Sequence, residues 1–547
     1  MDILNKKGIR SQSINGVRYV YEEKPYWNKL KKQTRHSREY IGKLDADDRF
    51  IPNKQYLNRQ ETKELSDNVV CARCASNLKK FPSSTVSRSF FGATHLLDCI
   101  GERTNLSRDL EKVFDKEIAR KIMSLAYFLV LENESSMYRF EKFAKTHHHP
   151  CGQVISSQRI SDLFANITEA QKISFFKLRS ARCLKEEYLA YDTTSISSYS
   201  EIMKLVKYGQ NKDLENLPQI NLALVFGEKS LTPVYYRKLP GNICDVATIR
   251  KLLIDMNSIG IKNAKFVLDR GFYSQDNIDA LFRDRHKFIV ACRSNTSLFK
   301  GFMDEIYESI QGFSNYSEVH DVYCLTKETR WAYKYTDKKG NQVVKNKVIF
   351  FHGYYDGERA EKEKTAFIKQ LVRAKIDWRS GKSTDAQNAL IESFFHITET
   401  SEGRVIENHK QDVIDAHMKK FGYFMLMSNH SKNAQDALAI YRNKDVVEKA
   451  FSNIKHRLDM KRAKVNSEKS LEGKLFVQFV ALSYVAYIHQ VMSNNNLYKN
   501  YSMSSLLDEI DVIELFKQKN KNKHFSEITK KQKEILKHFG AEIQNTL

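Results

Sequence analysis

A chain of 547 residues with 89 Lys and Arg against 66 Asp and Glu carries a formal charge of +23. Hydrophobic residues make up 41% and aromatics 11%, enough for packed cores, which excludes a disordered or fibrous chain. So much positive charge points to a polyanionic partner, nucleic acid before a membrane: the longest apolar stretch, Leu475 to Ile488, contains Gln478 and is short for a span, and the polar start has no signal-like apolar run. A cytoplasmic protein of three or four structural units is expected.

Residues 1–60 read as a basic, β-hairpin-like module. Val17 to Tyr21 alternates like a strand, and Tyr19, Tyr21, Tyr26 and Trp27 are followed by Lys29, Lys31, Lys32, Arg35 and Arg38. Basic residues interleaved with aromatics suit phosphate contact and stacking. Residues 61–180 read as a mostly helical DNA-binding region. Leu106, Leu110 and Val113 keep helical spacing, Ile118 to Leu131 continues it, and Ile160, Leu163, Phe164, Phe175 and Phe176 extend it, without a clear helix-turn-helix signature. Cys71 and Cys74 form the only CxxC pair. With no second pair, reduced thiols are expected there rather than a structural zinc. His147, His148 and His149 read as a polar loop.

From about residue 186 the period changes. Tyr188 to Ile196, Leu222 to Phe226 and Leu231 to Leu239 are strand-like, the last two joined around Gly227 to Ser230. Val246, Ile249, Leu252, Leu253 and Met256 have helical spacing up to Gly260. Phe266-Val-Leu268 reads as a buried strand ending in Asp269, Ser274 caps a further helix, and Lys287 to Cys292 is a fifth strand. The fold class is therefore α/β, with a mixed five-stranded sheet over residues 181–295. Residues 296–435 interrupt it as a mainly β insertion, with strand-like runs at Val319 to Leu325, Trp331 to Tyr335 and Gln342 to Phe351 and helices near 358–373 and 384–394. Helix returns over 436–495, and 496–547 is a helical tail in which Thr529-x-x-Gln532 forms a capping box.

Three acids stand out. Asp192 lies inside the first strand of the core, beside Tyr191 and a run of hydroxyl residues. Asp269 closes a buried strand, the end that faces a ligand crevice in a parallel arrangement. Glu448 shares a helix face with Tyr441, Lys444 and Lys455, all within an arc of roughly 60° at about 100° per residue. Read alone, the last group could be an ordinary Lys/Glu-decorated surface. Together, two strand carboxylates and one on a helix packed against them can hold Mg²⁺, with Mn²⁺ able to substitute. Two such ions about 3.5–4 Å apart serve phosphoryl displacement.

The segments Tyr191-Asp-Thr-Thr-Ser-Ile-Ser-Ser-Tyr199, Leu222 to Gly227, Tyr235-Tyr-Arg-Lys-Leu-Pro-Gly-Asn242, Leu268-Asp-Arg-Gly-Phe-Tyr-Ser274 and Tyr441-Arg-Asn-Lys-Asp-Val-Val-Glu-Lys-Ala-Phe451 together resemble a DDE transposase of the insertion sequence 4 superfamily, most like its insertion sequence 1634 type. The resemblance implies an RNase H-like core, interrupted by the β insertion. It also implies cut-and-paste transposition: binding of terminal inverted repeats, cleavage that frees a 3′-OH, and strand transfer to target DNA by a homodimer in a synaptic complex. It places the catalytic, metal-binding triad on Asp192, Asp269 and Glu448. It places DNA contacts on Tyr441, Lys444 and Lys455, where Lys444 replaces the family's usual Arg and gives a point charge in place of a bidentate clamp. Trp331 could stack on a flipped base, although packing is the commoner role for an aromatic in such a region. Two other functions remain compatible with the residues: a catalytically inactive regulator derived from a transposase, and an RNase H-like nuclease.

Overall fold

The computed structural model describes residues 8–14, 16–28, 33–45, 49–53, 56, 86–132, 136–182, 187–200, 202–209, 211, 215–336, 339–400, 403–458, 460, 462–465, 467–518 and 523–543; the side chains at 26–28, 33, 35, 86, 400, 403, 445–456 and 518 are outside the description. Two compact units divide the chain, Met1–Thr85 and Val86–Leu547.

In the first unit the expected hairpin is a four-stranded antiparallel meander of β1 (Ile9–Ile14), β2 (Val17–Asn28), β3 (Gln33–Leu44) and β4 (Phe50–Pro52). Val20, Ile41 and Leu44 form its small core, with Ile9, Phe50 and Tyr56 packed against them. Gly42 is required: a Cβ there would stand 2.3 Å from the Ile51 carbonyl oxygen. Tyr40 is 40% exposed, with the Tyr19 and Tyr21 rings 5.7 and 5.9 Å away. Lys29, Lys31, Lys32, Cys71 and Cys74, and the side chains of Tyr26, Trp27 and Arg35, fall outside the described residues.

The second unit opens with β5 (Val86–Phe90) and six helices: α1 (Gly92–Arg103), α2 (Leu106–Val113), α3 (Lys116–Leu131), α4 (Phe140–Thr146), α5 (Ser157–Asn166) and α6 (Glu169–Ser180). Asp109 of α2, fully buried, accepts hydrogen bonds from Arg182 at 2.7 and 2.8 Å and from Arg179 at 3.3 Å, so α2 is tied to the end of α6. The three histidines after α4 do not form a polar loop. His147 stacks on Phe143 with ring centroids 4.1 Å apart and pairs with Asp511, while His149 is buried against Ser124.

Next come β6 (Tyr188–Ser197), β7 (Gln219–Gly227), β8 (Pro233–Pro240), α7 (Ile249–Ser258), β9 (Lys265–Leu268), α8 (Gln275–Arg283), β10 (Lys287–Ala291) and α9 (Ser297–Ile306). They are followed by β11 (Tyr316–Ser317), β12 (Val322–Thr336), β13 (Gln342–Tyr355), α10 (Gly357–Arg379), α11 (Asp385–Phe394), β14 (Phe395–Thr400), β15 (Gly403–His409), α12 (Gln411–Met418) and β16 (Tyr423–Ser428). Last are α13 (Ala434–Arg457), α14 (Glu468–Asn494), α15 (Met503–Asp511), β17 (Glu514–Gln518), β18 (His524–Phe525) and α16 (Lys530–His538).

The main sheet has nine strands where five were expected, in the order β11-β12-β13-β16-β10-β9-β6-β7-β8. The extra four come from residues 316–428, whose strands extend the core sheet through the antiparallel pair β10–β16. Only β10–β9 and β9–β6 are parallel. Alternate residues feed two layers: Phe266 and Leu268, or Phe288 and Val290, enter the large core, while Val267 and Ile289 face Ala434, Ala437 and Leu438 of α13. The tail is not only helical, since β17 pairs with β5.

Helix α14 corrects the reading of the apolar stretch. At 27 residues it is long and apolar enough to cross a membrane, so shortness does not decide the matter. Burial does: Leu475, Phe476, Val480, Tyr484 and Ile488 are at most 2% exposed, and the helix packs chiefly on α3 and α5. It is the core helix of this unit.

Candidate active site

Strands β6 and β9 run parallel, with Tyr188 opposite Lys265 and Tyr191 opposite Leu268. The next residue on each is Asp192 and Asp269, so the register sets the two carboxylates side by side, on backbones about 4.8 Å apart. Both lie on the face covered by α13: Asp192 follows Tyr188 by four residues and Asp269 follows Val267 by two, and Tyr188 and Val267 pack in the α13 layer. A contact fixes that direction. Tyr441 of α13 donates its hydroxyl to Asp269 Oδ1 at 2.9 Å. The same oxygen accepts the Arg270 amide at 2.7 Å, capping the short helical turn Arg270–Phe272.

Helix α13 is anchored on both sides of its middle. Ala434, Ala437 and Leu438 are buried on the sheet. At the far end the Arg457 guanidinium donates to the Val130 carbonyl at 2.7 and 3.0 Å and to Ser504 Oγ at 2.7 Å. Beyond it, Lys474 of α14 donates to the Ala463 carbonyl at 2.9 Å, and the Ala463 amide donates to Ser197 at the end of β6 at 3.0 Å. Glu448 and Lys455 lie on this helix with side chains outside the described residues. By helical geometry position 448 is two turns past Tyr441, about 10.5 Å along and about 20° round. Lys444 is 2% exposed, its ammonium 5.7 Å from the centre of the Tyr441 ring. In the structure without DNA it is interior to the site.

A further carboxylate, absent from the sequence reading, sits across the strand ends. Thr193, pointing opposite to Asp192, donates to Asp245 Oδ1 at 2.6 Å. A Cβ on Gly271 would stand 3.2 Å from Asp245 Oδ2, so the turn after Asp269 lies directly against this acid. Its only sequence signal is position: it opens the helical turn that ends in Thr248, whose hydroxyl bonds back to the Asp245 carbonyl at 2.7 Å. Arg293, at the end of β10, braces the same turn by donating to the Arg270 and Gly271 carbonyls at 3.0 and 2.8 Å.

Two cavities meet at Asp269 and Arg270. One of ≈ 420 Å³ includes Asp356, Arg359, Tyr441 and Arg442 in its wall. The other, of ≈ 850 Å³, includes Asn221, Asn242, Asp245 and Arg293. Acids are thus flanked by arginines at the open end of the sheet. Among the described residues no three His, Cys, Asp or Glu side chains form a metal-ready group. Trp331 is held in packing: its indole donates to Asp279 of α8 at 2.7 Å.

A parallel strand pair that sets Asp192, inside β6, beside Asp269, just past the end of β9, under a helix whose Tyr441 reaches Asp269, is a site of the DDE kind. Residues 184–484, more than half of the 547, match the transposase DDE domain, and the chain belongs to that family. No curated protein matches the chain. Among solved structures, a cryo-EM structure of a piggyBac transposase synaptic complex with hairpin DNA is similar at 10% identity and a TM-score of 0.37, over 77% of this chain and 76% of that one.

Proposed function

We propose that this chain is the transposase of an insertion element, of the insertion sequence 4 superfamily and its 1634 type, with an RNase H-like core formed by β6–β10 and their helices. It binds terminal inverted repeats, cleaves DNA at the element's ends and transfers the freed strands, working as a homodimer in a synaptic complex. The observation that carries the reading is the β6–β9 register, which makes Asp192 and Asp269 neighbours on the face of α13.

The donor set fits a divalent cation: the hard carboxylate oxygens of Asp269, in the wall of both cavities, and of Asp192 on the neighbouring strand, with arginines close by for phosphate. Asp192 and Asp269 are the proposed principal ligands and Glu448 the third, with Mg²⁺ expected as two ions. When bound, the metal would supply Lewis-acid activation of the attacking oxygen and stabilisation of the leaving one. Tyr441 and the Arg270 amide both hold Asp269 Oδ1, which leaves Oδ2 to face the reaction. Lys444 sets a positive charge behind the acids from the interior, and Lys455 is proposed to contact a phosphate of the terminal DNA.

The test is cleavage of end-containing DNA with Mg²⁺ by Asp192→Asn, Asp269→Asn and Glu448→Gln. Each is expected to lose cleavage while keeping end binding in a gel-shift assay. Near-normal cleavage by any of the three would remove that residue from the triad. Joining of the cut end to target DNA, and dependence on the terminal repeat, separate a transposase from a nuclease of the same fold.

A further inference from the structure

Helix α10 buries one face and leaves another bare. Ala360 is buried, and Phe367, Leu371 and Ala374 pack into the cluster formed with α11, β14, β15 and α12. About 120° round the helix, Ile368, Val372 and Ile376 are 50%, 54% and 57% exposed, β-branched aliphatics one turn apart. Scattered exposed apolar residues need no explanation, but a row of three along one helix face marks a contact surface.

The ends of the row carry opposite charges. Taking Glu361 as zero at about 100° per residue, Ile368 falls near −20°, Val372 near +20° and Arg379 near 0°. The acid, the two aliphatics and the base therefore share an arc of about 40°, with Ile376 about 40° beyond. Glu361 lies nine residues before Gln370 and Arg379 nine after it (370 − 361 = 379 − 370), and both are exposed. A surface with this arrangement is complementary to itself. Turned by a two-fold axis at Gln370, it sets Ile368 against Val372 and Glu361 against Arg379, each pair formed twice, and lays Ile376 along the aliphatic stem of Lys364.

We infer that this face of α10 is a contact between two copies of the chain, an antiparallel helix pair about 27 Å long from Glu361 to Arg379. DNA is a poorer occupant, because the row is aliphatic and Glu361 would repel phosphate. A membrane surface is poorer as well, because a carboxylate stands in line with the row. The inference rests on the proposal that two copies act together, and it names the surface by which they meet without DNA.

Sedimentation of the full chain without DNA, at about 10 µM, is the experiment. The expected result is a dimer that Val372→Glu dissociates, raising Kd at least roughly tenfold. Glu361→Arg and Arg379→Glu should each weaken it through like-charge contacts, and the double variant Glu361→Arg/Arg379→Glu should restore it, since both pairs re-form with reversed sign. All three positions are exposed, so each variant should keep its fold, read as an unchanged circular dichroism spectrum. A wild-type monomer at this concentration, a dimer indifferent to Val372→Glu, or a double variant no tighter than the single ones would each overturn the inference. None of these outcomes touches the cleavage assay on Asp192 and Asp269, so the two proposals fail separately.

Discussion

The Tyr441 hydroxyl matters because of the oxygen it chooses. Asp269 Oδ1 takes both this phenol and the Arg270 amide, so the carboxylate cannot rotate freely and its other oxygen is the one presented. A hydrogen bond to a charged group contributes about 1.5–3 kcal/mol. Removing it should therefore slow the chemistry by roughly tenfold or more, at about 1.4 kcal/mol per factor of ten. Tyr441→Phe is expected to lower the cleavage rate by that amount with end-DNA affinity unchanged. A loss of affinity with normal single-turnover cleavage would instead make Tyr441 a DNA contact. Two histidines give a second residue-level prediction. Burial pushes the pKa of both His148 and His149 down to about 4, with Lys517 adding to the effect at His148. Unfolded, each takes a proton near its ordinary value of about 6.5. Between these limits the unfolded state binds more protons, so the contribution to stability is complete above about pH 6.5 and is lost as pH falls to about 4. The melting temperature of the wild type should drop more steeply over that window than that of a His148→Asn/His149→Asn variant. Parallel curves would mean that these groups do not titrate there.

Among elements, β6, β9, β10 and α13 were legible because sequence pattern and environment agree. Phe266-Val-Leu268 is a short apolar run buried on both faces and ends in an acid at the sheet's open end. Strand β16 was not legible. Tyr423-Phe-Met-Leu-Met427 is a continuous apolar run without alternation, equally at home in a helix, and only its antiparallel pairing with β10 and β13 settles it. In the sequence, strand β12 looks like two pieces because Thr326 to Arg330 is polar. The ladder to β13 runs through that stretch without a break, its side chains only partly covered. Neither Asp245 nor the burial of Lys444 could be read, since both depend on neighbours distant in sequence. Close packing of α14 on α5 belongs here too. In an open helix Gly→Ala stabilises by up to about 1 kcal/mol. At Gly473, however, a Cβ would stand 2.2 Å from the Phe164 carbonyl oxygen and 2.3 Å from its Cα, backbone atoms that cannot swing away. The overlap should win, at a cost of about 1–3 kcal/mol. Gly473→Ala is expected to lower the midpoint of denaturant unfolding, and a rise would show that the two helices separate easily.

At the scale of the whole molecule, the question is how a site built from acids meets a polyanion. Its carboxylates sit on adjacent strands within a chain of formal charge +23, so attraction has to come from the chain's basic residues, among them Arg270, Arg293, Arg359 and Arg442 around the cavities. Binding of end DNA should therefore weaken strongly with salt, each neutralised phosphate contributing about −0.9 to the slope of log K against log salt. The two lysines of α13 separate a surface contact from an interior charge. Lys444 is 2% exposed and sits against the Tyr441 ring, so it releases no counterion when DNA arrives. Lys455, proposed to touch phosphate, does. Lys455→Ala is expected to reduce the magnitude of the slope by about 0.9 and to weaken binding most at low salt. Lys444→Ala should leave the slope where it was and affect stability and cleavage instead, because it removes a buried charge with its partners. Titrations of labelled end DNA over a salt series measure both slopes. Equal changes for the two variants would mean that the helix exposes Lys444 when DNA binds, and an unchanged slope for Lys455→Ala would place the phosphate contact elsewhere.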